Sequence, residues 1–263
     1  MSAMSSLACT DATVLAGGEA ILAPTSAAFG AGRVTAILGP NGAGKSTLLS
    51  ILGGQRAPTG GRVSIDGQPL ADYTLAALAL RRALMPQDSA VAFEFTAQEI
   101  VSLGRYPHRS QPAAGEEGLV AKAMALTGVD GLSGRVLNTL SGGEKARVHL
   151  ARALVQLWHP RPDGAARWLL LDEPTAALDL AHQHSAMRLL RNWAGQGVGV
   201  VAVLHDLNLA LRYADDVLVL GGPAGLHAGA AREVLQPSLV ERVWAMPCQP
   251  VTGGDGVVQF LFG

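Results

Sequence analysis

Nine consecutive residues constrain this chain more than any others: Gly39-Pro40-Asn41-Gly42-Ala43-Gly44-Lys45-Ser46-Thr47. They fit the pattern G-x-x-x-x-G-K-[ST], in which a glycine-rich turn curls backbone N–H groups around phosphates. The run Arg33-Val34-Thr35-Ala36-Ile37-Leu38 before it is apolar and β-prone, and Ser46 to Leu52 behind it reads as the first turns of a helix. Phosphate binding requires that order of strand, turn and helix, because the helix N-terminus adds partial positive charge where the anion sits. Lys45 supplies a full charge for the terminal phosphates, and the Ser46 hydroxyl can reach Mg²⁺. The bland alternative is a glycine-rich turn with a surface lysine, and the context of strand and helix weighs against it. A nucleotide is the expected ligand.

Composition narrows the setting. The chain has 263 residues, with 20 Lys and Arg against 21 Asp and Glu, a net charge of −1. No basic stripe is present, so no nucleic-acid partner is expected. Met1 to Leu7 has neither a cationic start nor an apolar core and does not read as a secretory signal. The longest apolar runs, such as Val198 to Leu204, are strand-sized, whereas a membrane span needs about 20 residues. Cys9 and Cys248 lie far apart without C-x-x-C spacing, which predicts unpaired thiols in a reducing compartment. A soluble cytosolic protein that docks on a membrane partner is expected.

Along the chain, strands alternate with helices. The first 30 residues read as short antiparallel strands with turns at Gly17-Gly18 and Gly30-Ala31-Gly32, and Val63-Ser64-Ile65 with Asp66-Gly67 as a further strand and turn. Spacing predicts helices over Ala71 to Ala83, from Ala97 to a stop near Gly104 and Pro107, over Glu116 to Thr127, Ala181 to Trp193 and Leu207 to Tyr213. Leu84-Met85, Trp168 to Leu171, Val198 to Leu204 and Val217 to Leu220 read as strands. Such alternation predicts an α/β sheet with parallel members. The interval from about 88 to 136–140 lacks strand signals and reads as an inserted helical subdomain within one domain spanning 1–263.

Two more constellations carry chemistry. Leu169-Leu170-Leu171-Asp172-Glu173-Pro174 sets two carboxylates at the carboxyl end of a buried strand, where ligands of open α/β sheets bind. Asp172 suits Mg²⁺ through its water shell, and Glu173, facing differently, suits polarising an attacking water. Leu140-Ser141-Gly142-Gly143-Glu144 contains S-x-x-E, a helix-start capping box, ahead of Val148, Ala151, Leu154 and Val155 at helical spacing. A glycine-flanked helix start also presents free N–H groups to a phosphate. Spacing alone does not say whose phosphate that is.

The P-loop, Leu140 to Glu144, Asp172-Glu173-Pro174-Thr175, Ala177-Leu178-Asp179 and His205-Asp206 stand in the order found in ABC transporter ATPases, and the chain resembles that family from about Thr13 to Val243. The resemblance implies a P-loop NTPase core with N-terminal antiparallel strands and an inserted helical subdomain. It implies a head-to-tail homodimer that hydrolyses ATP with Mg²⁺, each ATP lying between one P-loop and the Ser141–Glu144 helix start of the other copy. By position, Gln87 is the Q-loop residue that senses Mg²⁺ and the membrane partner. Glu173 is the catalytic base, Asp179 closes the D-loop across the interface, and His205 contacts the γ-phosphate. Two transmembrane permease subunits and, indirectly, a periplasmic binding protein are implied, with the ATPase peripheral on the cytoplasmic face of the inner membrane.

Phe93 to Thr96, Glu99-Ile100-Val101 and Leu103 to His108 resemble ATPases that import iron chelates, vitamin B12 and haem. Within that group, Leu140 to Trp158, the connection His159 to Arg167 and Leu178 to His184 resemble the haem importers, with iron–siderophore or vitamin B12 import as the alternative. His182 and His184 stand at i and i+2 on a helix, face apart and make a poor metal pair. One departure concerns adenine. The family stacks the base on an aromatic residue near the N-terminus, yet no aromatic precedes Phe29 and the place near Gly17-Gly18 is empty. Either looser adenine recognition or an apolar substitute such as Val14 or Leu15 is expected.

Overall fold

The computed structural model describes residues 6–87, 93–110, 112 and 115–263. Met1 to Ser5 and the start of the expected insertion, 88–92, lie outside them. A hairpin opens the chain, β1 (Ser6–Ala16) and β2 (Glu19–Gly30), turning at Gly17-Gly18. These strands are long rather than short, because β1 also pairs with β4 (Gly60–Ile65), which turns through Asp66-Gly67 into β5 (Gln68–Pro69). Together they form an antiparallel sheet in the order β2-β1-β4-β5. Between them in sequence run β3 (Val34–Leu38) and α1 (Lys45–Leu52), the strand and helix on either side of the P-loop.

A second sheet has the order β10-β9-β3-β8-β7-β6. It contains β6 (Arg82–Met85), β7 (Arg167–Asp172), β8 (Val198–Val203), β9 (Asp216–Leu220) and β10 (Leu226–Ala230). All neighbours are parallel except β10, which runs antiparallel to β9. Its central strands are buried along their whole length and read as continuous apolar runs, because both faces are covered. Side chains alternate between two cores. Leu169 and Leu171 join one that includes Leu150, Met187 and Leu190, while Trp168 and Leu170 join another with Leu48, Leu52 and Ile65.

The helices correct some sequence expectations. Only α2 (Leu75–Ala79), capped by Thr74, forms within the span expected to be helical from Ala71 to Ala83. Arg82 and Ala83 instead pair with Trp168 and Leu169, a tertiary demand that overrides the helix propensity of an alanine-rich run. Next come α3 (Ala97–Leu103) and α4 (Leu119–Leu126). The latter starts three residues later than expected, because Gly118 sits at φ 79 and Glu116 pairs with Arg105. Then follow α5 (Gly142–Gln156), α6 (Leu180–Ala194), α7 (Leu207–Tyr213), α8 (Ala231–Val234) and α9 (Pro237–Trp244). A hairpin of β11 (Cys248–Thr252) and β12 (Val258–Phe262) ends the chain; neither it nor the two preceding helices was expected from sequence. Ile100, Val101, Leu119, Met124 and Leu137 form a third apolar cluster, completed by Val148, Ala151 and Val155 of α5. Both cysteines are free thiols, and no helix among the described residues is long and apolar enough to cross a membrane.

One contact in the sheet explains a glycine in its centre. Trp168, fully buried, stands opposite Gly199, and a Cβ there would come 2.2 Å from the indole ring. Gly199→Ala is therefore expected to destabilise the fold by about 1–3 kcal/mol through overpacking. Thermal unfolding should show a fall of roughly several degrees, and adding Trp168→Leu should recover part of it.

Candidate functional site

Parallel strands deliver their carboxyl ends to one edge, and the chemistry gathers there. The P-loop follows β3, Asp172 is the last residue of β7, Gln87 lies two residues beyond β6, and His205 two beyond β8. The loop fits tightly against β2: Gly44 sits at φ 90, and a Cβ on it would come 2.7 Å from the Ile21 carbonyl oxygen. Glycine at 44 thus answers both a left-handed backbone and a neighbouring strand.

Lys45 is buried, and its Nζ donates to the carbonyls of Gly39 and Pro40, each at 2.9 Å. Burial pushes its ammonium below the ordinary lysine range, while the charges of Glu173 and Asp172 oppose that shift. Ser46 Oγ donates to Asp172 Oδ1 at 3.1 Å. Burial raises the Asp172 carboxyl above the usual range, against the Ser46 hydrogen bond, which lowers it. A hydroxyl and a carboxylate that already meet form an all-oxygen donor set of the kind Mg²⁺ takes.

At Glu173 the backbone takes a turn that composition does not reveal. Its φ is 51, in the left-handed region, which is uncommon for a residue other than glycine. Gln87 Nε2 donates to Glu173 Oε2 at 3.0 Å, and His205 Nε2 lies 2.5 Å from Glu173 Oε1. Ser46 and Asp172 form one direct hydrogen-bonded group and Gln87, Glu173 and His205 a second, while Lys45 is held separately by the P-loop carbonyls of Gly39 and Pro40.

The Ser141–Glu144 helix start is bonded within itself. Ser141 Oγ accepts the Glu144 N–H, and the Glu144 carboxylate accepts the Ser141 N–H at 2.8 Å, completing the expected capping box. Helix geometry leaves the N–H groups of Gly142 and Gly143 without intrahelical acceptors, open to an outside anion. Gly143 has a second constraint: a Cβ there would stand 2.9 Å from the Ala177 carbonyl oxygen, so the segment leading to Asp179 packs directly on this start. Asp179 caps α6, accepting the His182 N–H at 2.9 Å, and His182 Nδ1 lies at the same distance from its carboxylate. His184 Nδ1 is 2.8 Å from the Tyr213 hydroxyl, so the two histidines face different partners. Among the described residues no cluster of three or more His, Cys, Asp or Glu could hold a metal ion.

Of the candidates beside adenine, Val14 is buried in the core, whereas Leu15 is 48% exposed. Leu15 pairs with Ala20, next to the Ile21 that touches the P-loop. Sequence reasoning missed His149. It lines, with Gln87, Asp172, Glu173 and Lys145, a cavity of about 670 Å³ between the sheet edge and α5. Its buried Nδ1 has no partner among the described residues. Burial, assisted by the charges of Arg152 and Lys145, pushes its pKa down to about 4.

Comparison with known proteins places these features in company. Residues 22–176 match the profile of the ABC transporter family. The hemin import ATP-binding protein HmuV of Gloeobacter violaceus is 50% identical over 211 residues, covering 80% of this chain and 76% of that protein. Its counterpart in Burkholderia thailandensis is 48% identical over 259 residues, covering 92% and 93%. Among solved structures, a metal-chelate type ABC transporter in an inward-facing conformation is similar with a TM-score of 0.79 at 25% identity, covering 98% of both chains. A dimeric ATP-binding cassette in a post-hydrolysis state, bound to ADP and Pi, is similar at 0.70 and 28% identity over 81% of this chain and 93% of that one.

His149 makes stability depend on acid. Its ring takes a proton below about pH 6.5 when unfolded but only below about 4 when folded. The folded form is therefore penalised as pH falls from about 6.5 towards 4, by about 2 kcal/mol at pH 5. In urea unfolding, His149→Gln is expected to shrink the stability difference between pH 7 and pH 5 by about that amount.

Proposed function

The chain belongs to the ABC transporter ATPase family, and from that premise we propose that it energises haem uptake through a separate membrane permease. The observation that carries this reading is the converging site at the sheet edge, Lys45, Ser46, Asp172, Glu173, Gln87 and His205, in a chain close to proteins named for hemin import. The likeness to a metal-chelate type transporter keeps iron–siderophore import as the second reading.

In this reading ATP is cradled by Gly39 to Thr47, and Lys45 exchanges its carbonyl partners for the terminal phosphates. Ser46 and Asp172 hold Mg²⁺ with Gln87 beside them; the bound cation neutralises phosphate charge. Glu173 orients the attacking water and takes its proton, which requires that Gln87 and His205 yield the carboxylate oxygens they now occupy. His205, half-exposed, swings to the γ-phosphate. Ser141, Gly142 and Gly143 of a second copy close the site from the other side, and Asp179 supports that interface. A homodimer then carries two equivalent sites. The dimer sits on the cytoplasmic face of the membrane against two permease subunits that a periplasmic binding protein supplies. Catalysis rests on positioning and charge stabilisation rather than covalent chemistry. Adenine rests on Leu15.

Three measurements test this. Glu173→Gln should abolish steady-state ATP hydrolysis and accumulate an ATP-bound dimer by size-exclusion chromatography; near-normal turnover would refute the base assignment. Leu15→Ala should raise KM for ATP and Leu15→Tyr lower it, each by about five-fold or more given typical base-stacking energies, with kcat little changed. Proteoliposomes holding the ATPase and its permease should take up haem in an ATP-dependent manner and not ferric siderophore; the opposite preference selects the second reading.

A further inference from the structure

The C-terminal hairpin has no place in the mechanism above, yet besides packing on α9 it is tied to α7 by specific side-chain bonds. Strand β11 is exposed along most of its length, as is β12 apart from Val258 and Phe260. A lone two-stranded hairpin is marginally stable at best, so its order depends on what it touches. Asn208, in the first turn of α7, pairs with Phe260 as a neighbouring strand would. Its Oδ1 accepts the Phe260 N–H at 2.7 Å, and its Nδ2 donates to the Phe260 carbonyl at 3.1 Å. Arg212, one turn further on, meets the Asp255 carboxylate at 2.5 Å. The Phe260 ring is buried in the core shared with Leu207, Leu211 and Leu239.

Helix α7 starts directly behind His205. Asp206 caps it, accepting the N–H groups of Asn208 at 2.7 Å and Leu209 at 3.0 Å. On the strand side the chain is fixed by Leu204, whose N–H donates to the Ile37 carbonyl at 3.1 Å. His205 itself is nearly half exposed, and Glu173 is the one side chain it pairs with among the described residues. Its place is therefore set by backbone, between a sheet on one side and the first turn of α7 on the other.

We propose that the C-terminal hairpin is a positioning element for His205, fixing the first turn of α7 through the Asn208–Phe260 clamp. This rests on the role given to His205 above. The clamp makes the histidine's reach depend on residues more than 40 positions downstream, and displacement of a reacting group by about 1 Å can cost up to 10²-fold in rate.

The test uses the full-length chain. Asn208→Ala, or Asn208→Ala/Arg212→Ala if the single change leaves the hairpin attached, should speed amide exchange across Val258–Phe262. It should lower kcat for ATP hydrolysis by about five-fold or more while KM for ATP holds within about two-fold. Asp255→Arg should give a smaller loss that Arg212→Asp restores, a rescue that general destabilisation would not produce. Wild-type kcat in a variant whose hairpin is released overturns the proposal. His205→Ala is measured alongside: full activity there topples the His205 assignment itself, whereas a crippled His205→Ala beside a fully active, hairpin-released Asn208→Ala topples the hairpin's role alone.

Discussion

Parallel pairing of β8 with both β3 and β7 is the constraint on which the site depends. Val203 stands opposite Ile37 on one side and Asp172 on the other, so a single level of the sheet sets the P-loop entry, the buried carboxylate and the approach to His205. Neighbouring strands lie about 4.8 Å apart, which keeps groups from three strands within roughly 10 Å. A slip of one residue would reverse every side chain on the strand. Leu169 and Leu171 would trade cores with Trp168 and Leu170, and Asp172 would turn away from Ser46. The apolar packing that holds the register is therefore also what aims the candidate catalytic groups.

Electrostatics at that edge are balanced before any nucleotide arrives. Lys45 and Asp172 are both buried, and burial pushes them towards their neutral forms from opposite directions. The carboxylates of Glu173 and Asp172 oppose the shift of Lys45, and the Ser46 hydrogen bond and the Lys45 charge oppose that of Asp172. Glu173 is occupied differently, between an amide and an imidazole on a backbone held at φ 51. Lys45, Ser46, Asp172 and Glu173 thus each have a polar partner within the chain.

The site was more legible in the sequence than the fold around it. Phosphate binding demands a fixed spacing of glycines, lysine and hydroxyl, and that demand leaves its imprint locally between Gly39 and Thr47. The capping box at Ser141 and Glu144 is local too, as is the apolar run ending in Asp172. What failed was set at a distance. Alanines from Ala71 to Ala83 favour helix, yet Ala83 is drawn into a strand by Leu169, far along the chain. His149 looks like one more residue of an amphipathic helix until burial and two basic neighbours isolate it. Leu15 and Val14 could be separated only once the pairing of β1 placed one in the core and left the other out. The terminal hairpin escaped notice because Phe260 is held by an asparagine side chain rather than by a sequence-adjacent partner.

Helix α5 joins regions that would otherwise be independent. Val148, Ala151 and Val155 on one face complete the apolar cluster of α3 and α4, while Leu150, Ala153 and Leu154 on another belong to the core of the main sheet. Its first turn is the capped Ser141–Glu144 start, propped on Ala177. The helix behaves as an axle passing through two wheels. Any tilt of α3 and α4 must either carry the axle with it or slide on close-packed leucines and alanines, and interiors packed at crystal density resist sliding. Movement imposed on α3 and α4 is thus passed along α5 to the capped helix start at Ser141–Glu144.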